Sequence, residues 1–193
     1  MNPRLGSTLA RLALLLVAAG TAAAFAGCTP PPPRNWQSGG ALLVIPEAQW
    51  VLGEEAVQLT RNGDVIADGG RIMSIDPAGR VYDEDGDPIG VLERDGTFIG
   101  PDDEPLGMVG SQRASLPDEG FAWITLEPNG RVVRYDEGGL RYPFGAWFGC
   151  GQDPRSRQAC TLVSHAIGMK IRRRGQQAGP SFGIGIGVGI PIR

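Results

Sequence analysis

The sequence predicts an all-β chain: short antiparallel hairpin repeats of about 17 residues, arranged as a meander, followed by a C-terminal β-hairpin. Three observations lead there. Thirty glycines and sixteen prolines, with few long stretches of helical period, suit a turn-rich β chain. Glycine turns recur at Asn62-Gly63, Ala78-Gly79, Asp95-Gly96 and Asn129-Gly130, with spacings of 16, 17 and 34 residues. The end of the chain, "FGIGIGVGIPI", alternates apolar residues with glycine, which is strand period.

Residues 1–27 read as an export signal. Arg4 and Arg11 precede the apolar run Leu12 to Ala26, which is short for a membrane span of roughly 20 apolar residues. The run ends at Ala26-Gly27-Cys28, and this ending resembles the lipobox of bacterial lipoproteins. The resemblance implies that Cys28 becomes the first mature residue, is acylated, and holds the protein to membrane lipid. Thr29 stands where that family's inner-membrane retention signal has Asp, so outer-membrane sorting is implied. The other reading is an ordinary secretory signal with a cysteine near its cleavage site.

Residues 28–40 then contain "TPPPPRNWQSGG". Proline runs favour extended polyproline II, so the expectation is a semi-rigid tether between lipid and domain.

Residues 41–140 form the repeat region. Two residues after each turn glycine sit Val65, Val81, Phe98 and Val132; three after it come Ile66, Tyr82, Ile99 and Val133. Thirteen after it lie Leu92, Val109 and Leu126. Between these columns runs a second set of turns: "ADGGR", "DEDGDP", "PDDEP", "PDEGF" and "DEGG". Two turns per repeat leave four or five residues per strand. Asn-Gly and Asp-Gly suit two-residue hairpins in which both central residues take positive φ. Single hairpins are marginal, so the repeats must bury their apolar columns together. "SQRASLPDEG" breaks the pattern, with Arg113 in the glycine column.

The segments "VYDEDGDPIGVL" and "FIGPDDEPLGMV" resemble the repeats of small bacterial β-flower proteins. The resemblance runs from about Leu59 to Leu140. It implies hairpins set like petals around a pseudo-symmetric axis, and no catalytic site.

Residues 141–193 are expected to be a disulfide-stapled loop and a glycine-rich hairpin. With Cys28 reserved for lipid, Cys150 and Cys160 remain, and in an oxidising compartment they suit a disulfide closing a short polar loop, with two unpaired thiols as the alternative. In "LVSHAIGMKI" the only histidine, His165, alternates with Ile167, Met169 and Ile171, which reads as a half-buried strand residue. On a strand Ser164 and His165 would face opposite sides, against a nucleophile–base pair. Phe182, Ile184, Ile186, Val188 and Ile190 would line one face of the second strand, a packing, interface or membrane-inserting surface.

Charge is uneven. Between Glu47 and Glu137 twenty carboxylates face seven arginines, whereas Leu140 to Arg193 holds eight basic residues and Asp153 alone. The halves can attract each other, or "KIRRR" (170–174) can meet anionic lipid. Nucleic acid is not expected as a partner. Asp83, Asp85 and Asp87 have the alternate spacing that opens a calcium loop, but an EF-hand would need Gly and Glu where Pro88 and Arg94 stand. They are either a looser calcium site or one more acidic turn, and no other cofactor is indicated.

The expected function is therefore a non-enzymatic, lipid-anchored envelope protein that presents its repeats to an unknown envelope protein. Trp123, Trp147 and Phe148 are the interface candidates, with core packing as the alternative for each. A calcium-dependent binding module is the second expectation and an envelope hydrolase the third.

Overall fold

The computed structural model describes residues 30–177. Twelve strands follow in order: β1 Ala48–Leu52, β2 Glu55–Leu59, β3 Asp64–Ala67, β4 Gly70–Ile75, β5 Arg80–Asp83, β6 Pro88–Leu92, β7 Thr97–Ile99, β8 Pro105–Val109, β9 Arg113–Ser115, β10 Ile124–Leu126, β11 Arg131–Tyr135 and β12 Arg141–Phe148. Each pairs antiparallel with its neighbours in the chain, and β12 pairs with β1 through Trp50↔Trp147, so the meander closes into a barrel. Closure leaves none of these strands with a free edge. The all-β meander expected from the repeats is the observed architecture.

The repeated glycine has a specific geometry. In the turns at Thr60–Asp64, Asp76–Arg80, Glu93–Thr97 and Glu127–Arg131, the first residue's N–H donates to the carbonyl of the fifth, and the fourth residue's N–H donates back to the first. That fourth residue is Gly63, Gly79, Gly96 or Gly130, each at positive φ, while its predecessor is not. These are three-residue loops with a glycine bulge, not the two-residue turns expected. Among the described residues only Asp68-Gly69 has two consecutive positive φ values within a two-residue hairpin loop.

The same glycines tie one repeat to the next. Gly63 O accepts from Ile75 N at 2.9 Å, Gly79 O from Leu92 N at 2.8 Å, Gly96 O from Val109 N at 2.7 Å and Gly130 O from Trp147 N at 2.8 Å. A Cβ on Gly63 or Gly130 would overlap the carbonyl of Ile75 or Trp147. For Gly79 and Gly96 the partner is the apolar residue thirteen positions on, for Gly63 it is the one twelve on, and for Gly130 it is Trp147, seventeen on.

A meander places alternate turns at opposite ends. One end carries these glycine turns; the other carries the acidic ones, including Asp83–Asp87 and Asp136–Leu140.

After β12 the chain turns into a helix, α1, Pro154–Gln177. It runs from the glycine end to the acidic end, and residues 159–168 are buried without interruption. A helix buried on all faces lies inside a core, and a barrel this wide leaves a lumen that wall side chains alone do not fill. Trp50, Met73, Ile75, Phe98, Ile124 and Leu162 are among the side chains that complete the core.

This helix replaces the first arm of the expected C-terminal β-hairpin; the expected second arm, Phe182 to Ile190, lies outside the described residues. The period-two pattern at His165–Ile171 carries no face information because every face of that segment is covered. Local signals agree with the helix: Asp153 accepts from Arg157 N through its carbonyl at 3.0 Å, Pro154 takes the first position, and basic residues occupy the last turns.

Part of the expected tether also packs down. Pro33 is buried, Trp36 meets Tyr82 edge-on with centroids 5.0 Å apart, and Arg80 donates to the carbonyls of Trp36 at 2.7 Å and Gln37 at 3.0 Å. Gly40 N and Ala41 N then donate to Ala78 O and Leu92 O. The segment from Pro33 to Gly40 is a strap across the outer wall rather than a free spacer.

Candidate interaction furrow

The barrel interior is the first place to look for chemistry, and its polar groups are engaged with one another, apart from Arg157 Nε, which is buried without a partner among the described residues. Trp123 Nε1 donates to His165 Nδ1 at 2.8 Å, so Nδ1 is the acceptor and Nε2 carries the proton that goes to Leu106 O at 2.8 Å. Phe98 and Trp123 flank the ring. Burial lowers the His165 pKa to about 4, against a smaller opposing contribution from the Leu106 carbonyl.

Ser164 accepts from Trp147 Nε1 at 2.8 Å and donates to Cys160 O at 2.9 Å. His165 is thus a fully buried helix residue, not a half-buried strand residue. Ser164 and His165 are both fully buried, and each has its donor committed to a carbonyl within the core. Gln158, Thr161 and Arg157 likewise donate to carbonyls of the wall, at Val109, Ser111, Leu126 and Glu127. These contacts register the helix in the lumen.

In the β5–β6 turn it is Asp83 whose side chain serves the turn itself. Asp83 Oδ1 accepts from Asp85 N at 3.0 Å and Asp87 N at 2.8 Å. Asp76 and Asp136 do the same for their own loops, and each adds a bond from the tyrosine six residues on, Tyr82 at 3.2 Å and Tyr142 at 3.0 Å. The backbone N–H of Leu140, with help from Tyr142, holds the Asp136 carboxyl below the usual range. Among the described residues there is no group of three His, Cys, Asp or Glu side chains arranged to hold a metal ion.

Of the remaining expected sites, Cys28 lies outside the described residues. Cys150 and Cys160 are disulfide-bonded and join the end of β12 to the second turn of α1. Trp123 and Trp147 are core residues at 3% exposure, so burial removes both from the interface candidates, while Phe148 is 62% exposed. Lys170, Arg172 and Arg173 pair with Glu84, Glu137 and Glu104 from three different acidic turns, at 3.0, 3.4 and 3.4 Å. The basic end of the chain therefore meets the acidic repeats.

The outer wall offers a different surface. Where the repeat is irregular, β9 and β10 shrink to three residues each, and a furrow crosses β8 to β11. It begins where α1 leaves the barrel, in a depression of about 560 Å³ lined by Trp123, Tyr135, Glu137, Ile171 and Arg172. A second depression of about 600 Å³ shares Tyr135 and Glu137 and reaches Phe121 and Arg113. A third, of about 370 Å³, shares Phe121 and Arg113 and ends at Met108 and Arg94.

Ile171, Phe121 and Met108 are 45%, 46% and 53% exposed, which puts an uncovered apolar side chain in each depression. Among the described residues Arg94 and Arg113 form no ion pair. The signal for this furrow was already in the sequence, as the break "SQRASLPDEG", but there it marked a weak repeat and not a surface.

No protein-family model, no curated protein and no solved structure matches this chain.

Proposed function

We propose that the protein is a non-enzymatic, lipid-anchored envelope protein whose barrel presents the furrow across β8–β11 to another envelope protein. One observation carries the interaction reading: three exposed apolar side chains, with two arginines that form no ion pair among the described residues, follow one run of adjoining depressions on the outer wall. Aromatic and Met side chains with arginine are the groups enriched at protein interfaces. The interior supports the same reading, because α1 occupies the lumen and its polar side chains bond to the wall. The anchor rests on the lipobox-like Ala26-Gly27-Cys28. The strap at Pro33–Gly40 shortens the tether to the few residues before it.

The anchor is tested by Cys28→Ser, which should move the protein out of the membrane fraction; unchanged fractionation refutes lipidation. The furrow is tested by a photo-crosslinking residue at position 121 in intact cells, compared with one at exposed Gln58 on β2. Capture of a defined envelope protein from position 121 and not from position 58 is expected. Equal capture from both positions, or none from position 121, refutes the furrow as the interface.

A further inference from the structure

The two ends of the furrow differ in charge. Its first depression sets Arg134 and Arg172 against Asp136 and Glu137, and its second sets Arg113 against Glu137. The third, toward β8, sets Arg94 and Arg113 against Asp95 alone. That carboxylate is committed to its own turn. Asp95 Oδ1 accepts from Thr97 N at 2.9 Å, and this bond holds its pKa below the usual carboxylate range. Neither arginine forms an ion pair among the described residues. On a strongly acidic repeat region, this end of the furrow is a local excess of positive charge beside the exposed Met108 and Phe121.

Spacing describes the occupant. Ile171 lines the first depression, Phe121 the second and third, and Met108 the third. From β11, whose Tyr135 lines the first depression, to β8, which carries Met108, is three strand spacings, about 15 Å. In an extended chain residues i, i+2 and i+4 share one face and cover about 13 Å. The closed barrel has no strand edge to offer, so such a chain is held by side chains and not by strand addition. A guanidinium can bind a carboxylate through two parallel hydrogen bonds, which are stronger than neutral ones.

We infer that the furrow receives an extended acidic segment of a partner protein, with apolar side chains at alternate positions against Ile171, Phe121 and Met108 and a carboxylate held by Arg94 and Arg113. This rests on the furrow being the interaction surface, and it adds the chemistry that the partner must bring.

Phage-displayed random heptapeptides, panned against the purified mature chain, test it. The selected peptides should carry Asp or Glu next to alternating apolar residues. Measured by fluorescence anisotropy, Arg94→Gln and Arg113→Gln together should weaken their binding about tenfold or more. Arg131→Gln, at an exposed site on β11 outside the three depressions, should leave it unchanged. Changing the peptide's carboxylate to an amide should weaken binding to the parent and not to the double variant. Selection of peptides without acidic residues, or of none, overturns the inference, and so does binding indifferent to the two arginines. Equal weakening by Arg131→Gln would reduce the effect to overall charge and also overturns it. A furrow filled by a second copy of this chain is the remaining adverse result, seen as crosslinks from position 121 between ¹⁴N- and ¹⁵N-labelled molecules of the purified protein.

Partner capture in cells separates this inference from the function it rests on. If capture from position 121 is the same with and without the two arginine changes, the partner reading stands and the carboxylate contact falls. Acidic peptides bound through both arginines, without any capture in cells, leave the contact in place and refute the partner reading.

Discussion

Trp123 on the wall and His165 on α1 are joined by one hydrogen bond, indole Nε1 to imidazole Nδ1 at 2.8 Å, and that bond sets the protonation state of the only histidine. An imidazolium has no lone pair to accept it, so protonation at Nδ1 must break the contact.

With burial holding the pKa near 4 against an ordinary value of 6.5, the folded protein binds this proton more weakly than the unfolded chain does. The stabilising contribution is therefore complete above pH 6.5 and is lost as pH falls from 6.5 through 4, by about 3 kcal/mol in total. The ring proton shifts of His165 in the folded protein should stay flat from pH 8 to 5. A titration midpoint near 6.5 would show that the helix does not seat the imidazole in the core. Urea midpoints at pH 7 and pH 4.5 should differ less in His165→Gln than in the parent.

Gly130 should tolerate less than Gly53. Both have positive φ, at 88° and 64°, so alanine at either costs about 1–2 kcal/mol of backbone strain. Around Gly53 the space is open, whereas a Cβ at Gly130 meets Trp147 O, adding about 1–3 kcal/mol of overpacking. Chemical denaturation of Gly130→Ala and Gly53→Ala tests the difference. Equal losses would remove the inter-repeat contact as the reason for the glycine column.

The helix is held by its core and not by its charged end. Leu162 is fully buried, and Leu162→Ala should cost about 2–5 kcal/mol. Lys170→Gln, Arg172→Gln and Arg173→Gln remove solvent-exposed ion pairs and should each cost less than about 1 kcal/mol. Thermal melts in low and high salt give the second check, since loss of the rim pairs is what salt would mimic.

Asp83 acts as a turn acceptor, so Asp83→Asn, which keeps an oxygen at the same position, should melt close to the parent. Asp83→Ala should lose about 1 kcal/mol. Millimolar calcium should leave the melting temperature of all three proteins unchanged. A rise seen in the parent alone would return these carboxylates to a metal-binding role.

Much of the fold was legible in the residues because hairpin chemistry is local. A glycine at positive φ, an aspartate able to cap its own loop and two apolar residues per short strand act within about five positions, and they repeat. The exact turn type was not legible, since Asn-Gly and Asp-Gly occur both in two-residue turns and in loops with a glycine bulge. Whether the second glycine-turn neighbour, such as Asn62, takes positive φ is decided by how the flanking strands pair.

What the sequence by itself determined is the meander, its period and the interruption at "SQRASLPDEG"; the bond between Cys150 and Cys160 was expected from it and is formed in the fold. Only the tertiary structure decided that the barrel closes, that residues 154–177 are a helix whose buried stretch, 159–168, fills the lumen, and that Trp123 and Trp147 bond to that helix. The physical reason is that a segment buried on every side shows no amphipathic period. Its apolar residues reveal a core position without revealing whether strand or helix fills it, and that choice was made by the width of the lumen around it.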